Sequence, residues 1–225
     1  MVKVSVIVPY KVMNIEVKRC RYFCEEFLPE AELIFVSDED CPGLPSSKRN
    51  WAMQRAKGDI FAFLDSDAFP SPGWIKNALY WLQCFPAVCG PGVLPPEDGF
   101  GMQMVADKVH QWVFAPWRVK AMKPRLVPWH PTFNLIVKRE VATRFDPYLT
   151  GEDDKFGLRI PGGIWYHPDI LVYHSRRPAF KLLWRQFGQW GRTKGHFKRL
   201  ALIAWVTTLW VYITNWIKGF LRGKI

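Results

Sequence analysis

Two aspartates, one residue apart, directly follow an apolar run. Asp65 and Asp67 come after residues 60–64, IFAFL, and precede a turn rich in Pro and Gly. If the run is a buried strand, side-chain alternation turns both carboxylates to the same side, where they could bind one cation. Carboxylate oxygens suit Mg²⁺ or Mn²⁺, which usually take further ligands from water and substrate phosphates. The alternative is that these residues only form a turn.

A second acidic cluster, Glu152, Asp153 and Asp154, follows Thr150 and Gly151 at the predicted start of a helix. Carboxylates are stabilised at a helix N-terminus, which is a structural reason for their presence. Three carboxylates in one turn also repel one another, and this repulsion raises their pKa values. Because a carboxylate with a raised pKa is a better general base, the cluster is a candidate for proton abstraction.

Other polar residues occupy positions where a ligand could reach them. Asp38 follows the second predicted strand, and His174 ends a short apolar run, LVYH. For His174 the alternative is an ordinary core or surface histidine. Residues 48–50, Lys-Arg-Asn, lie early in a predicted helix, where a solvated helix face is the alternative to ligand contact.

The order of elements predicts an α/β fold. Short runs rich in Val, Ile and Phe at residues 4–9, 33–37, 60–64 and 135–138 read as buried strands. Helical patterns cover residues 16–28, 46–56 with a Ser N-cap, and about 74–85. Alternating strands and helices predict a Rossmann-like, mostly parallel sheet flanked by helices. In such sheets ligands bind beyond the carboxyl ends of the strands, where Asp38, Asp65 and Asp67 are expected.

The charge of the chain is concentrated at its C-terminal end. The net charge is +11, and residues 176–225 contain eleven Lys or Arg and no Asp or Glu. A uniformly basic surface would indicate nucleic acid, whereas a basic block beside apolar helices indicates an anionic membrane face. We therefore expect a lipid surface, and no nucleic acid, as a partner. The N-terminal run is too short for a signal peptide, so we expect the N-terminal part to face the cytoplasm.

Two helices are predicted in this block. Residues 179–190 are amphipathic at helical spacing, and residues 200–217 form an uncharged run of eighteen residues bracketed by basic residues. A helix of that length, about 27 Å, is just short of the hydrocarbon core, and its polar members share one side. It either lies in the interface or spans the membrane against another helix, and a core helix is the alternative. The predicted domains are residues 1–178, catalytic, and 179–225, membrane-associated.

Five segments together resemble the family 2 glycosyltransferases, inverting enzymes of the GT-A fold that use nucleotide sugars. The segments are VSVIVPY, SKRNWAMQRAKGDIFAFLDSDAFPSPGWI, NLIVKREVATRFDPYLTGEDDKFGLRI, IWYHPDILVYHSRRP and RQFGQWGR, between residues 2 and 192. Each is a weak pattern alone, but the five occur in the family's order. Two departures stand out: residues 37–40 are Ser-Asp-Glu-Asp where the family often has Asp-Asp-Gly-Ser, and Gln189 replaces the usual arginine before Trp190.

The resemblance implies a role for each matching residue. Asp153 would be the catalytic base, and Asp67, Asp65 and His174 would hold Mn²⁺ or Mg²⁺. The donor nucleotide, of the UDP or GDP type, would contact Pro9, Asp38, Arg49, Asp65 and Asp67. The acceptor or diphosphate region would include Asn134, Glu152, Gln186, Gln189, Trp190 and Arg192.

The leading hypothesis is therefore a membrane-associated, metal-dependent, inverting glycosyltransferase. Its acceptor would be a saccharide or a polyprenyl-linked molecule, because the basic apolar tail would hold the site at the bilayer. Two alternatives stay open: a nucleotidyltransferase on a similar sheet, although residues 9–19 lack the glycines of a triphosphate loop, and a non-enzymatic basic membrane-binding module, which leaves both carboxylate clusters unexplained.

Overall fold

The computed structural model describes residues 3–98, 123–147 and 151–175, which form two sheets and four α-helices. The strands are β1 Val4–Pro9, β2 Glu32–Val36, β3 Ile60–Phe63, β4 Ala68–Pro70, β5 Ala87–Cys89, β6 Gly92–Val93, β7 Arg125–Val127, β8 Leu135–Lys138, β9 Ile164–Tyr166 and β10 Val172–His174. The helices are α1 Ile15–Phe27, α2 Pro45–Arg55, α3 Trp74–Trp81 and α4 Glu152–Leu158.

The large sheet has seven strands in the order β2-β1-β3-β8-β5-β9-β7. Strands β2, β1 and β3 pair in parallel, as their connection through helices requires. Strand β8 is antiparallel to both β3 and β5, and β7 is antiparallel to β9. Five of the seven strands thus run in one direction. The predicted mostly parallel α/β fold is confirmed.

The core has two layers, one on each face of this sheet. Alternation along β1 sends Val6 and Val8 to the face covered by α1 and α3, and Ile7 to the face covered by α2 and α4. All six residues of β1 are buried, as expected for a strand covered on both sides. The sheet therefore holds its carboxyl edge rigidly, and the loops at that edge carry the polar residues.

A small sheet of three strands lies beside the carboxyl ends of the large one. Strand β10 is its centre, antiparallel to β4 and parallel to β6. The chain approaches itself closely here: a Cβ at Gly90 would lie 1.8 Å from the carbonyl oxygen of Ile170, and one at Gly92 would lie 2.6 Å from the Phe133 ring. Only glycine leaves room for these contacts, so the CGPG sequence brings β6 and β10 together.

The predicted helix ends are partly wrong. Helix α2 begins at Pro45 with Leu44 as its N-cap and no side-chain cap, so the predicted Ser N-cap does not exist. The N1 position favours proline because its fixed φ is helical and its missing N–H has no partner there. Helix α3 ends at Trp81, four residues before the predicted end, and residues 82–84 continue as turns.

The predicted membrane-associated segments, residues 179–190 and 200–217, lie outside the described residues. Within the three ranges that the structure does describe, no helix has the length and apolarity needed to cross a membrane.

Candidate functional site

Asp65 and Asp67 lie in a turn that joins the two sheets. Leu64 still bonds to the carbonyl of Ile7 in the large sheet, and the amide of Ala68 donates to the carbonyl of Asp65 at 3.0 Å. Strand β4 of the small sheet begins at Ala68. Asp65 and Asp67 therefore lie in a turn rather than on a continuous strand, so strand alternation is not what brings their carboxylates together. The two carboxylates nevertheless come together, because the turn itself folds them onto one side.

His174 joins them because of the register of the small sheet. It pairs with Ala68 across the antiparallel ladder, and the amide of Ser175 donates to the carbonyl of Asp67 at 2.9 Å. One ligand atom each from Asp65, Asp67 and His174 lie within 4.8 Å of one another. The side chain of His174 is 11% exposed, and its imidazole is stacked on the ring of Phe133 with 4.8 Å between the ring centroids.

This donor set fits a divalent cation. Two carboxylates bring the negative charge that such an ion requires, and a neutral imidazole can supply a nitrogen ligand. Mg²⁺ takes oxygen ligands almost exclusively, whereas imidazole nitrogen suits transition-metal ions. The cluster of two carboxylates and one imidazole therefore offers the ligands of a divalent-cation site.

Three consecutive residues of α2 make buried polar contacts. The side chains of Lys48 and Arg49 are 3% and 4% exposed, so a solvated helix face is excluded. The ammonium of Lys48 lies 2.6 Å from Asp38 and also donates to the carbonyl of Gly43. The hydrogen bond from Lys48 lowers the pKa of Asp38.

Arg49 lies between the two acidic clusters. One of its terminal nitrogens donates to Oδ1 of Asp65 at 2.9 Å, and the other approaches Oε1 of Glu152 at 3.4 Å. Burial raises the pKa of Glu152, and the charge of Arg49 opposes this rise. Burial, rather than crowding by the carboxylates of the same turn, is the leading cause of the raised pKa.

Asp153 lies in the first turn of α4, directly after Glu152. Its Oδ1 accepts a hydrogen bond from the amide of Asp154 at 3.1 Å. The helix begins after Gly151, whose φ of 86° is left-handed and favours glycine. The predicted helix with three carboxylates in its first turn is present, and Arg49 connects that turn to Asp65.

Two other predicted site residues lie deeper in the structure. Asn134 is fully buried: its amide donates to the carbonyls of Pro91 and Ile170 and accepts from the indole N–H of Trp74. It therefore ties the segment before β6 to the segment before β10. Pro9 is the last residue of β1 and is buried at the carboxyl edge of the sheet.

Phe133 supports His174 by ring stacking, and this role was not predicted from the sequence. The available signal was that Phe133 directly precedes Asn134, which was a predicted site residue. Gln186, Gln189, Trp190 and Arg192 lie outside the described residues.

The family model for glycosyl transferase family 2 matches residues 18–141. This match spans more than half of the chain. The chain belongs to glycosyl transferase family 2. The chain is therefore a glycosyltransferase, and neither the nucleotidyltransferase nor the non-enzymatic membrane module describes it. No curated protein sequence matches it significantly.

Solved structures share the fold of this family 2 glycosyltransferase. TarS 1–349 from S. aureus in complex with UDP-GlcNAc has a TM-score of 0.55 and 17% identity over 79% of this chain and 59% of that chain. The mannosyltransferase PcManGT from Pyrobaculum calidifontis, in complex with GDP-Man and Mn²⁺, has a TM-score of 0.54 and 17% identity over 89% and 68% of the two chains. A197 from STIV has a TM-score of 0.50 and 16% identity over 78% and 95%. The chain thus spans less than two thirds of the TarS chain but nearly all of A197.

Proposed function

We propose that this glycosyltransferase moves a sugar, with inversion, from a nucleoside-diphosphate sugar to a hydroxyl or phosphate acceptor. The observation that carries the proposal is the cluster of Asp65, Asp67 and His174 at the carboxyl edge of the sheet, joined through Arg49 to the acidic first turn of α4. The arrangement supports a cation site on one side of Arg49 and a proton acceptor on the other. The complexes of TarS with UDP-GlcNAc and of PcManGT with GDP-Man and Mn²⁺ lend support from the same fold.

The donor diphosphate would bind at the cation cluster. Asp67 and His174 would be direct ligands, with Asp65 completing the set or contacting the ribose. A divalent cation bound there acts as a Lewis acid and stabilises the negative charge of the leaving diphosphate. Pro9 ends strand β1 and Asp38 lies two residues after the neighbouring parallel strand β2, at the same edge of the sheet, where both would contact the nucleoside or sugar.

Asp153 would be the general base. It accepts the proton of the acceptor hydroxyl while that oxygen bonds to the anomeric carbon, and the bond from this carbon to the diphosphate oxygen breaks on the opposite face. Glu152, its neighbour in the same turn, is bonded to Arg49. Glu152 would therefore hold the turn through its ion pair with Arg49, and Asp153 would accept the proton.

A membrane-borne acceptor, such as a polyprenyl-linked saccharide, is part of the proposal. The loop after β1 and the first residue of α1 expose three apolar side chains, with exposed fractions of 67% for Val12, 42% for Met13 and 75% for Ile15. The exposed Lys11 and Lys18 flank them. The carbonyl of Lys11 accepts from the amide of Asp38, so this loop borders the donor edge. Apolar side chains between lysines are suited to an anionic bilayer.

The chain enters its basic C-terminal part beside this loop. The hydroxyl of Ser175 donates to the carboxylate of Glu16 in the first turn of α1, and the eleven Lys and Arg of residues 176–225 follow in the sequence. We propose that the protein is membrane-associated, with its catalytic domain on the cytoplasmic side.

Titration of the full chain with UDP and GDP, each with and without Mn²⁺, tests the proposal. Asp67→Asn is the matched variant, because it keeps the size of the side chain and removes its charge. We expect tight binding of one nucleotide only when Mn²⁺ is present, and loss of this Mn²⁺ dependence in Asp67→Asn. Binding of neither nucleotide by folded wild-type protein would defeat the proposal.

A further inference from the structure

Helix α2 links two parts of the chain that are far apart in sequence. Arg49 bonds to Asp65 and Glu152, which are 16 and 103 residues away. The next residue, Asn50, bonds to Phe145, which is 95 residues away. Two adjacent side chains thus hold the metal-binding turn and the segment that carries α4.

Arg49 contacts two carboxylates that belong to different parts of the fold, Asp65 in the turn after β3 and Glu152 in α4. Its guanidinium is planar and presents its donors in fixed directions, so one group can set the distance between Asp65 and Glu152. Its Cζ atom also lies 5.6 Å from the centre of the Phe145 ring. A lysine has the same charge but only one nitrogen, and cannot hold both carboxylates in the same way.

Asn50 forms a two-point contact with the backbone. Its side-chain nitrogen donates to the carbonyl of Phe145 at 2.8 Å, and its side-chain oxygen accepts from the amide of Phe145 at 2.8 Å. This pair satisfies both backbone groups of a residue that lies in no helix or strand. The position of Phe145 relative to α2 is therefore fixed by hydrogen bonds as well as by packing.

Phe145 passes this constraint to α4. Its ring stacks on Phe156 of α4 with 4.1 Å between centroids and 6° between planes. Both rings make T-shaped contacts with Phe63 in β3. All three rings are buried. Arg49 thus holds the first turn of α4. Asn50 holds Phe156 of the same helix indirectly, because it bonds to Phe145 and the Phe145 ring stacks on Phe156.

Simple packing does not require this arrangement. An apolar face on α2 would cover the sheet equally well, whereas buried polar groups are costly unless each finds its partners. A polar network of this kind specifies one relative position of its members. Its members here are the turn that would bind the cation and the helix that would bear the base.

We propose that Arg49 and Asn50 are positioning residues that fix α4, and with it Asp153, relative to the turn of Asp65 and Asp67. The inference rests on the proposed function, in which these two elements hold the leaving group and the base. Their loss then slows the chemical step more than it weakens nucleotide binding. A misplacement of about 1 Å is sufficient to lower a rate about 100-fold.

The test uses Asn50→Ala and Arg49→Lys in the full chain, with Gln54→Ala and Arg55→Lys as controls on the exposed side of the same helix. UDP-GlcNAc and GDP-mannose with Mn²⁺ are the probes for turnover, including hydrolysis of the donor, and UDP and GDP are the probes for binding. Hydrogen exchange of residues 151–158, followed by mass spectrometry, reports how firmly α4 is held and does not depend on activity.

We expect kcat to fall about 100-fold in Asn50→Ala and Arg49→Lys, the Kd for the nucleotide with Mn²⁺ to change less than about threefold, and exchange in residues 151–158 to become faster. The controls should match the wild type in all three. Asn50→Asp keeps the acceptor for the amide of Phe145 and loses the donor to its carbonyl, so its kcat and exchange rate should be intermediate. This variant also carries the test if Asn50→Ala does not fold.

Three results would overturn the inference. Unchanged kcat and exchange would show that α2 does not position α4, and equal losses of kcat and nucleotide affinity would place both residues in the donor site. A lower melting temperature with unchanged kcat per folded molecule would reduce the network to a structural role. Failure of the wild type to bind either nucleotide would instead count against the proposed function, and the exchange measurement would still decide the positioning role.

Discussion

The Nε2 atom of His174, the last residue of β10, lies 3.2 Å from Oδ1 of Asp67 in the turn that precedes β4. This contact places an imidazole beside the carboxylate that we propose as the main ligand of the cation. His174→Ala is therefore expected to weaken Mn²⁺ binding at least tenfold. Even the mutation of a residue that only hydrogen-bonds to a metal ligand typically lowers metal affinity 10- to 100-fold. Calorimetric titration with Mn²⁺ in the presence of the bound nucleotide measures the loss.

His167→Ala is the control for this experiment, because His167 pairs with the exposed Asp169 and is not part of the cluster. Equal Mn²⁺ affinities of wild type, His167→Ala and His174→Ala would remove His174 from the metal site. The same titration with Mg²⁺ should show a smaller effect of His174→Ala, because Mg²⁺ gains little from a nitrogen ligand.

Asp153→Asn is expected to abolish transfer and leave nucleotide binding intact. The amide has nearly the shape of the carboxylate but cannot accept the proton of the acceptor, so kcat should fall by about 10²- to 10⁴-fold. Initial rates with each donor, together with the Kd of UDP and GDP, measure the two effects separately. Asp154→Asn is the neighbouring control, and a larger loss in that variant would exchange the roles of the two residues.

Glu152→Gln is expected to change how stability depends on pH. Burial raises the pKa of Glu152 above its ordinary value of 4.5, so the folded state binds this proton more tightly than the unfolded state. The stability contributed by the protonated form is therefore complete below pH 4.5 and is lost as the pH rises through the folded-state pKa. Glutamine does not titrate, so the variant does not lose this stability as the pH rises. Relative to the wild type it should therefore become more stable between pH 4.5 and the folded-state pKa of Glu152, and the difference should persist at higher pH.

Urea unfolding at a series of pH values between about 4 and 8 measures this difference in the free energy of unfolding. Glutamine keeps a side-chain oxygen for Arg49, so the contact itself is retained in weaker form. A difference that is independent of pH would show that Glu152 does not change its protonation on unfolding.

Ile15→Asp and Val12→Asp are expected to weaken membrane binding at least tenfold, because burying such a side chain contributes about 1.5–3 kcal/mol. Flotation with vesicles of phosphatidylcholine, with and without phosphatidylglycerol, measures the bound fraction. Leu158→Asp is the control, since Leu158 is 63% exposed at the end of α4. Deletion of all residues after Lys198 should also release the protein, and full binding by every variant would assign attachment to residues 176–198.

The fold could be predicted because it follows from local patterns. The bounds of β1 and β8 agree with the runs that predicted them, because both strands are almost wholly buried and consist mainly of Val, Ile and Leu. Helix ends were less predictable: Pro45 and Ser46 both favour a helix start, and only the geometry decides between them. The antiparallel direction of β8 could not be predicted either, because an apolar run does not indicate the direction in which a strand pairs.

The residues of the candidate site could be selected from the sequence, but the contacts between them could not be predicted. Asp65, Asp67 and His174 were selected from the sequence, yet they meet through a turn and a register that no spacing reveals. Lys48, Arg49 and Asn50 have the composition of a solvated helix face, and their burial depends on partners up to 103 residues away. Asn134 shows the converse: a polar residue in a predicted acceptor region bonds instead to carbonyls of the core.

The turn from Asp65 to Asp67 leaves the large sheet and enters the small one, while His174 belongs to the small sheet alone. A cation held by these residues would join the two sheets by coordination, in addition to the apolar core that Ala68 and Val172 share with the large sheet. Because it would bind the folded chain only, it would add about 2.7 kcal/mol to the free energy of unfolding at a concentration a hundred times its Kd. The melting temperature would then report how fully the cation site is occupied. It could rank cations and nucleotides by affinity before any acceptor is known.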